Sequence, residues 1–369
     1  MTAASPRIAL ITYSTRPRGG VVHTLALAEA LVRAGAQVTV WTLGRGGDGG
    51  FFRRVDPGVR IEVVPFPPIE GEDVGARIMR SIRLLGRAFR PQDYDIVHAQ
   101  DCISANAVGR CVRTVHHLDT FTTAELAACH ERAIVDPFAH VCVSESVARE
   151  LTDGWGLHPI VIPNGVDSPR FASAASTAPK AVAARKVWTD RLGTYLLAVG
   201  GIEPRKGTLD LLEAFALARP RHPGLQLVVA GGETLFDYRG YREQFDRRCG
   251  ELGVEPVLLG TVDDDELPFL VAGAAVFGFV STKEGFGLAA MEALAAGVPL
   301  VVRDLPVLRE VFSGAALFAD SPATMADQIT VALSGADPGL REVGRTLANR
   351  HTWDGAAARH LEFYAALVR

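Results

Sequence analysis

Short runs of β-branched and other apolar residues, each followed by a stretch with helical spacing, recur along the whole chain. This alternation is the strongest constraint on what the chain can fold into. Residues 8–13 read as a strand. Residues 21–34 then place Leu25, Leu27, Ala28, Leu31 and Val32 on one helical face, and Gly35 marks the stop. A strand over 37–42 and a glycine-rich loop over 44–50 follow, then further short runs at 61–65, 95–99, 113–116, 140–143 and 159–162. Such runs, separated by helices, predict a parallel sheet covered on both faces.

Around residues 171–187 the pattern breaks. FASAASTAPKAVAARKV is rich in alanine and serine without strand alternation, and reads as a linker region. The alternation restarts at 195–199 and continues at 225–230, 257–259, 275–280, 300–302 and 316–318. A chain of 369 residues is long for one domain. The expected organisation is a first domain over 1–170, a second over 171–350 and a C-terminal helix over 351–369, with Trp353, Ala357, Leu361 and Tyr364 in line. In doubly wound sheets, ligands bind beyond the carboxyl ends of the strands.

The net charge of −4 advertises no nucleic-acid partner. The five cysteines (Cys102, Cys111, Cys129, Cys142 and Cys249) form no Cys-x-x-Cys pair and read as reduced, mostly buried thiols. The N-terminal apolar run is short and has no basic stretch ahead of a long one, so it reads as a first strand and not a signal peptide. No run is apolar for long enough to span a bilayer. A cytoplasmic protein is the expectation.

The most informative segment is STKEGFGLAAMEALAAGVPLVV, from Ser281. Glu284 lies in a glycine-containing loop after a strand, and a helix is expected from near Gly287 through Leu294, ending at Gly297. The amides of Phe286, Gly287 and Leu288 would then point out of a helix N-terminus, a natural anion site. Glu284, with Gly285 beside it, suits hydrogen bonding to sugar hydroxyls next to a phosphate. Glu292, further along the helix, suits a ribose diol. Two exposed acids on an ordinary strand-turn-helix are the plainer alternative.

This segment closely resembles the donor-site motif of glycosyltransferase family 4, which includes many mannosyl- and glucosyltransferases. The resemblance extends through most of the chain: VIPNGVD from Val161, VGGIEPRKG from Val199, and VHAQD and TVHHLD at Val97 and Thr114 stand in the family's order and spacing. It implies a GT-B fold, two doubly wound Rossmann-like α/β domains facing across a cleft. It also implies retaining transfer of a hexosyl unit from a nucleotide-diphosphate sugar to an acceptor that the sequence does not identify. The sugar nucleotide is then a substrate, and no cofactor or metal is expected. Base contacts would be largely backbone around 259–262, including Thr261, and the C-terminal helix would cross back onto the first domain.

One position departs from the family pattern. Where its phosphate loop carries an arginine, this chain has Gly201, while the lysine is kept as Lys206. Those two cations flank the diphosphate and stabilise the leaving group. Arg205, or Arg16 and Arg18 beside Gly19 and Gly20 in the TRPRGG loop, would have to supply the missing charge. The glycine pair follows the first strand and, by the resemblance, closes over the diphosphate and the acceptor, since glycine permits close backbone approach.

His98, Asp101, His116, His117 and Asp119 gather at two strand ends. A metal site is one reading of such residues, but metal-ligand spacing is absent. By resemblance His116 faces the transferred sugar, His117 stands where the family often has an acid, and His98, Asp101, His117 and Asp119 belong to the acceptor side; a structural His98 stays open. Arg77, Arg80, Arg83, Arg87 and Arg90 recur at helical spacing. They read as a solvated cationic face or, more sharply, as a peripheral contact of a 77–90 helix with the inner face of the cell membrane. A GT-B nucleotide-sugar epimerase, a phosphorylase and a non-catalytic sugar-nucleotide sensor remain alternative readings; a pyridoxal phosphorylase would need a Schiff-base lysine, and Lys206 is assigned to phosphate.

Overall fold

The computed structural model describes residues 5–118, 123–232, 238–335 and 338–368. The chain forms two compact units. One comprises the residues up to Gly165 and those from Trp353 onward; the other runs from Val166 to Thr352.

In the first unit the strands are β1 (Arg7–Ile11), β2 (Gln37–Arg45), β3 (Arg60–Phe66), β4 (Ile96–Ala99), β5 (Val112–Val115), β6 (Ala139–Cys142) and β7 (Ile160–Val161). The helices are α1 (Gly19–Arg33), α2 (Val74–Ala88), α3 (Cys102–Val108), α4 (Ala124–Val135) and α5 (Glu145–Trp155). The sheet order is β3-β2-β1-β4-β5-β6-β7, with every pairing parallel. Strand order therefore reverses between β1 and β4, which opens a crevice at their carboxyl ends. Helix α1 ends as its glycine predicts. Gly35 has φ 91°, and the amides of Gly35 and Ala36 return to Val32 and Leu31 carbonyls at 2.9 and 3.0 Å.

The second unit contains β8 (Thr194–Val199), β9 (Leu225–Ala230), β10 (Val257–Gly260), β11 (Val276–Phe279), β12 (Leu300–Arg303) and β13 (Leu317–Ala319), in the order β10-β9-β8-β11-β12-β13 and again all parallel. Its helices are α6 (Ser168–Ala175), α7 (Pro179–Leu192), α8 (Thr208–Ala218), α9 (Arg239–Leu252), α10 (Leu267–Ala272), α11 (Leu288–Ala295), α12 (Pro306–Phe312), α13 (Pro322–Leu333) and α14 (Pro338–Arg350). Leu196, Leu212, Phe215, Val276, Val301 and Ile329 form the centre of its core. The crevice here opens between β8 and β11. The last helix, α15 (Trp353–Leu367), belongs to the first unit.

The stretch expected as a linker is helical. Asp167 caps α6 by accepting from the Arg170 amide at 3.2 Å, and Pro179 stands at the start of α7. Alanine and lysine are strong helix formers, but only Phe171, Ala174, Ala181, Trp188 and Leu192 carry its buried apolar face, so periodicity is weak. The boundary expected at 170/171 falls inside α6.

The cationic 77–90 helix is α2, ending at Ala88. Arg83, Arg87 and Arg90 are exposed, whereas Arg80 is buried, paired with Glu72 at 2.6 Å and stacked 3.9 Å from the Phe66 ring. The solvated face is thus narrower than the arginine count suggests. Among the described residues, no helix is long and apolar enough to cross a membrane.

Packing at the second crevice is tight at Gly231, where a Cβ would lie 2.3 Å from the carbonyl carbon and oxygen of Gly200. Backbone cannot yield as a flexible side chain can. Gly231→Ala is expected to destabilise the protein by about 2–3 kcal/mol, read from urea unfolding; an unchanged midpoint would contradict the close approach.

Candidate functional site

In the second unit the loop after β8 carries Gly200, Gly201, Arg205 and Lys206. Gly200 has φ 144°, and its open side faces the Lys206 stem, so the lysine folds back over the glycine turn. Gly207 then starts α8 from the left-handed region, φ 63°, with no room for a Cβ against the Val280 carbonyl. The first amides of α8 are met inside the unit, since Leu209 N donates to the Tyr241 hydroxyl at 3.3 Å.

The loop after β11 lies against this turn. Glu284 Oε1 accepts from Lys206 Nζ at 2.6 Å, Ser281 Oγ at 2.9 Å and Arg205 Nη1 at 3.1 Å. Arg205 also reaches Glu203 at 3.3 Å, and Glu203 is itself buried. With side chains only 10 % and 19 % exposed, Glu284 and Lys206 form a largely desolvated, charge-assisted contact. Beyond it, Gly285, Phe286 and Gly287 are buried, and Gly287 (φ 100°) is the N-cap of α11 without a side-chain acceptor. The helix starts at Leu288, so its first amides have no intrahelical partner. Gly200, Gly201, Lys206, Thr208, Phe279 and Ser281 line a small hollow at this point.

Two other expected donor-side residues stand apart from that network. Glu292 is half-buried on α11, and burial pushes its carboxyl up to about 8; Arg170 opposes the shift, while Asp264 and Asp167 add to it. Thr261 is exposed after β10, with its hydroxyl against the loop after β9 at Gly232. Three residues of the arrangement escaped the sequence reading of roles: Ser281, Glu203 and Arg303. Arg303 donates from Nε to the Val280 carbonyl at 2.9 Å and pairs with Asp210, so it staples α8 to the end of β11. Its only sequence signal is its place at the end of the strand VPLVVR.

In the first unit Gly19 and Gly20 open α1, whose N-cap, Arg18, gives no side-chain cap. A Cβ on Gly20 would sit 3.7 Å from the His116 Cδ2 and Nε2, so the glycine faces the imidazole with room for a methyl group between them. His116 is half-buried, and its Nε2 has no hydrogen-bond partner among the described residues. Burial, then His117, Arg113 and His98, pull its pKa down to about 3, so the ring is neutral. His117, half-buried, follows it. Arg16 is exposed beside Asp48, at 3.7 Å.

His98 and Asp101, expected on the acceptor side, are both held by hydrogen bonds within the first unit. His98 is fully buried, with Nδ1 2.5 Å from the Tyr364 hydroxyl and Nε2 2.8 Å from Thr114 Oγ1. Both ring nitrogens are occupied, which leaves none for an acceptor. Asp101 caps α3, accepting from the Ser104 amide and hydroxyl at 2.8 Å each and from the Tyr13 amide at 3.1 Å. It ties the loop after β1 to α3. Asp119 lies outside the described residues. His23, on α1, was not read from the sequence as a site residue and stands 4.7 Å from His116, edge to face.

Two family models match the chain. The one described as Glycosyltransferase Family 4 matches residues 17–170, and the one described as Glycosyl transferases group 1 matches residues 189–342. The chain is a family 4-like glycosyltransferase. An uncharacterized glycosyltransferase of Methanocaldococcus jannaschii is 27% identical over 97% of both chains. A phosphatidyl-myo-inositol mannosyltransferase of Mycobacterium tuberculosis is 29% identical over 75% of both. A D-inositol 3-phosphate glycosyltransferase of Salinispora arenicola is 26% identical over 98% of this glycosyltransferase and 92% of its own length. Two solved structures share the GT-B fold at 18% identity. Anabaena HepE in complex with UDP-glucose has a TM-score of 0.75 over 97% of this chain and 99% of its own. Sucrose-phosphate synthase from Thermosynechococcus elongatus has a TM-score of 0.78 over 98% and 99%.

The buried histidines of this glycosyltransferase set an acid limit on its first unit. Burial holds His23 and His98 well below their ordinary value, with His360 at about 4. Above pH 6.5 these groups are neutral folded or unfolded. Below it the unfolded chain takes up protons that the folded unit excludes, so stability is lost as pH falls. The urea midpoint is expected to drop between about pH 6.5 and 4, and less steeply in His360→Phe. A flat profile over that range would overturn the burial argument.

Proposed function

We propose that this enzyme transfers a hexosyl unit from a nucleoside-diphosphate sugar to an acceptor hydroxyl, with retention and without a metal ion. The observation that carries the reading is the convergence of Lys206 and Arg205 on Glu284 beside the open N-terminus of α11. Two cations and a set of helix amides match a diphosphate, and Glu284 beside them suits hydroxyls of the attached sugar. The names of the relatives, a mannosyltransferase and an inositol-phosphate glycosyltransferase, and the UDP-glucose bound to HepE support a nucleotide-sugar donor.

In the proposed reaction the acceptor oxygen bonds to the anomeric carbon while the bond to the diphosphate breaks. The electron pair leaves on the phosphate oxygen, and that oxygen takes the acceptor proton. Glu284 is a poor covalent nucleophile while three donors hold it, which supports same-face attack over a covalent intermediate. Neutral His116 offers a sugar hydroxyl a nitrogen that has no partner among the described residues. Arg205 takes the place of the arginine missing at Gly201, because it already shares Glu284 with Lys206. Its guanidinium can bridge two phosphate oxygens. That weakens the case for a non-catalytic sensor. A peripheral contact of α2 with an anionic cytoplasmic membrane face, through Arg83, Arg87 and the exposed Met79, belongs to the same proposal.

A thermal-shift panel of nucleotide sugars identifies the donor, since a ligand of the folded state raises the midpoint. With that donor, Glu284→Ala is expected to lower kcat about 100-fold or more while the protein stays folded. Glu292→Ala should chiefly raise the donor KM, whereas Glu292→Gln should keep it near wild type at pH 7, because the native carboxyl is protonated below about 8. A fully active Glu284→Ala enzyme would sink the donor-site assignment.

Activity should also survive EDTA and fall in Arg205→Ala, with NMR of the product giving the donor's anomeric configuration. Activity lost in EDTA and restored by magnesium or manganese, or an inverted product, would refute the metal-free retaining reaction. Loss in Arg16→Ala or Arg18→Ala instead of Arg205→Ala would assign the missing charge to the first unit. Unchanged donor affinity and turnover in all three would return weight to the sensor reading.

A further inference from the structure

His23 occupies a core position of the largely apolar helix α1, within the stretch GGVVHTLALAEAL, and is only 1 % exposed. A leucine there would bury more easily. The imidazole instead holds Asn164: Nδ1 lies 2.8 Å from Asn164 Oδ1, and Asn164 is buried as well. An amide oxygen only accepts, so Nδ1 carries the proton. Nε2 is then an acceptor, and it has no hydrogen-bond partner among the described residues.

The ring stands edge to face against two others, His116 at 4.7 Å and Trp353 at 5.3 Å. These neighbours occupy special places in the chain. The backbone leaves the first unit after Gly165 and returns to it at Trp353. Asn164 and Trp353 are therefore at the two crossings. On the second-unit side the crossings are joined as well, because Val166 N donates to the His351 carbonyl at 2.9 Å. His23 touches both crossings on the first-unit side, and its remaining ring contact is the candidate sugar-facing histidine.

We propose that His23 is a positioning residue for His116: it fixes the His116 ring against the two points where the chain enters and leaves the first unit. This rests on the reading of His116 as the sugar-facing group. His116 follows a short strand, and Gly20 opposite its ring offers no side chain to fix the ring's rotation. The titratable groups facing His23 are His116 from the end of β5, His360 from α15 and His98 from β4. Burial keeps the ring neutral, none of these neighbours among the described residues carries negative charge to oppose it, and a carboxylate at position 164 would do so.

The probes are slow hydrolysis of the donor chosen by thermal shift, and binding of the nucleoside diphosphate alone. His23→Asn keeps a donor for Asn164 but removes the ring; His23→Phe keeps a ring but removes the hydrogen bond. Each is expected to lower kcat about tenfold with diphosphate affinity within about twofold, and to have no further effect in a His116→Ala background. Asn164→Asp should favour the imidazolium and add an acid-side loss of kcat between about pH 6 and 8 that the wild type lacks. Nitrogen-15 spectra of the His116 ring should show one tautomer in the wild type and a mixture in His23→Phe, which reports on folded protein whatever the activity.

Equal losses from the His23 variants with and without His116 would overturn the proposal and leave His23 a packing residue. So would an unchanged Asn164→Asp profile or an unchanged His116 ring spectrum in folded protein. Full activity of His116→Ala alone would instead sink the sugar-facing reading itself.

Discussion

A single carboxylate oxygen organises the second unit's crevice. Glu284 Oε1 draws in a lysine, an arginine and a serine from two loops that leave neighbouring strands. Partial desolvation strengthens the attraction, and Glu203 holds the far side of Arg205. The two cations and two anions are thus balanced before any ligand arrives. A diphosphate entering under the proposed function brings excess negative charge. The helix amides at the start of α11 are then needed in addition to the cations, and Glu284 becomes available to neutral hydroxyls as the cations turn toward phosphate.

The supports of that arrangement are backbone packing and one staple. Gly207 and Gly231 let two loops approach to distances that any side chain would prevent. Arg303 locks the first turn of α8 to the last residues before the Glu284 loop. Such groups act on the site through geometry. Their loss would appear as loosened positioning of Lys206 and Glu284 and not as a missing contact to ligand.

Much of this was legible in the sequence because the relevant signals are local. Strand and helix alternation, the glycine stops and the strand-turn-helix from Ser281 each depend on neighbours within a few residues, and the motifs stand in order along the chain. What escaped depends on distant partners. His98 and Asp101 looked alike as polar groups at one strand end, yet one is satisfied by Tyr364, 266 positions away, and the other by its own helix cap. Ser281 was within the quoted motif but had no assigned role until Glu284 was seen to accept from it. The helices α6 and α7 were hidden by composition, because alanine-rich segments with few buried positions resemble linkers.

The bond between His98 and Tyr364 also bears on how the protein is made. The first sheet is encoded before residue 165, but the hydroxyl that satisfies its most deeply buried imidazole is encoded near the end of the chain. During synthesis the second unit leaves the ribosome whole while the first still lacks α15, and an unmet buried ring makes the early sheet costly to close. The part of the protein translated first is therefore finished last, and a chain truncated before Tyr364 exposes the fault in the unit at its opposite end.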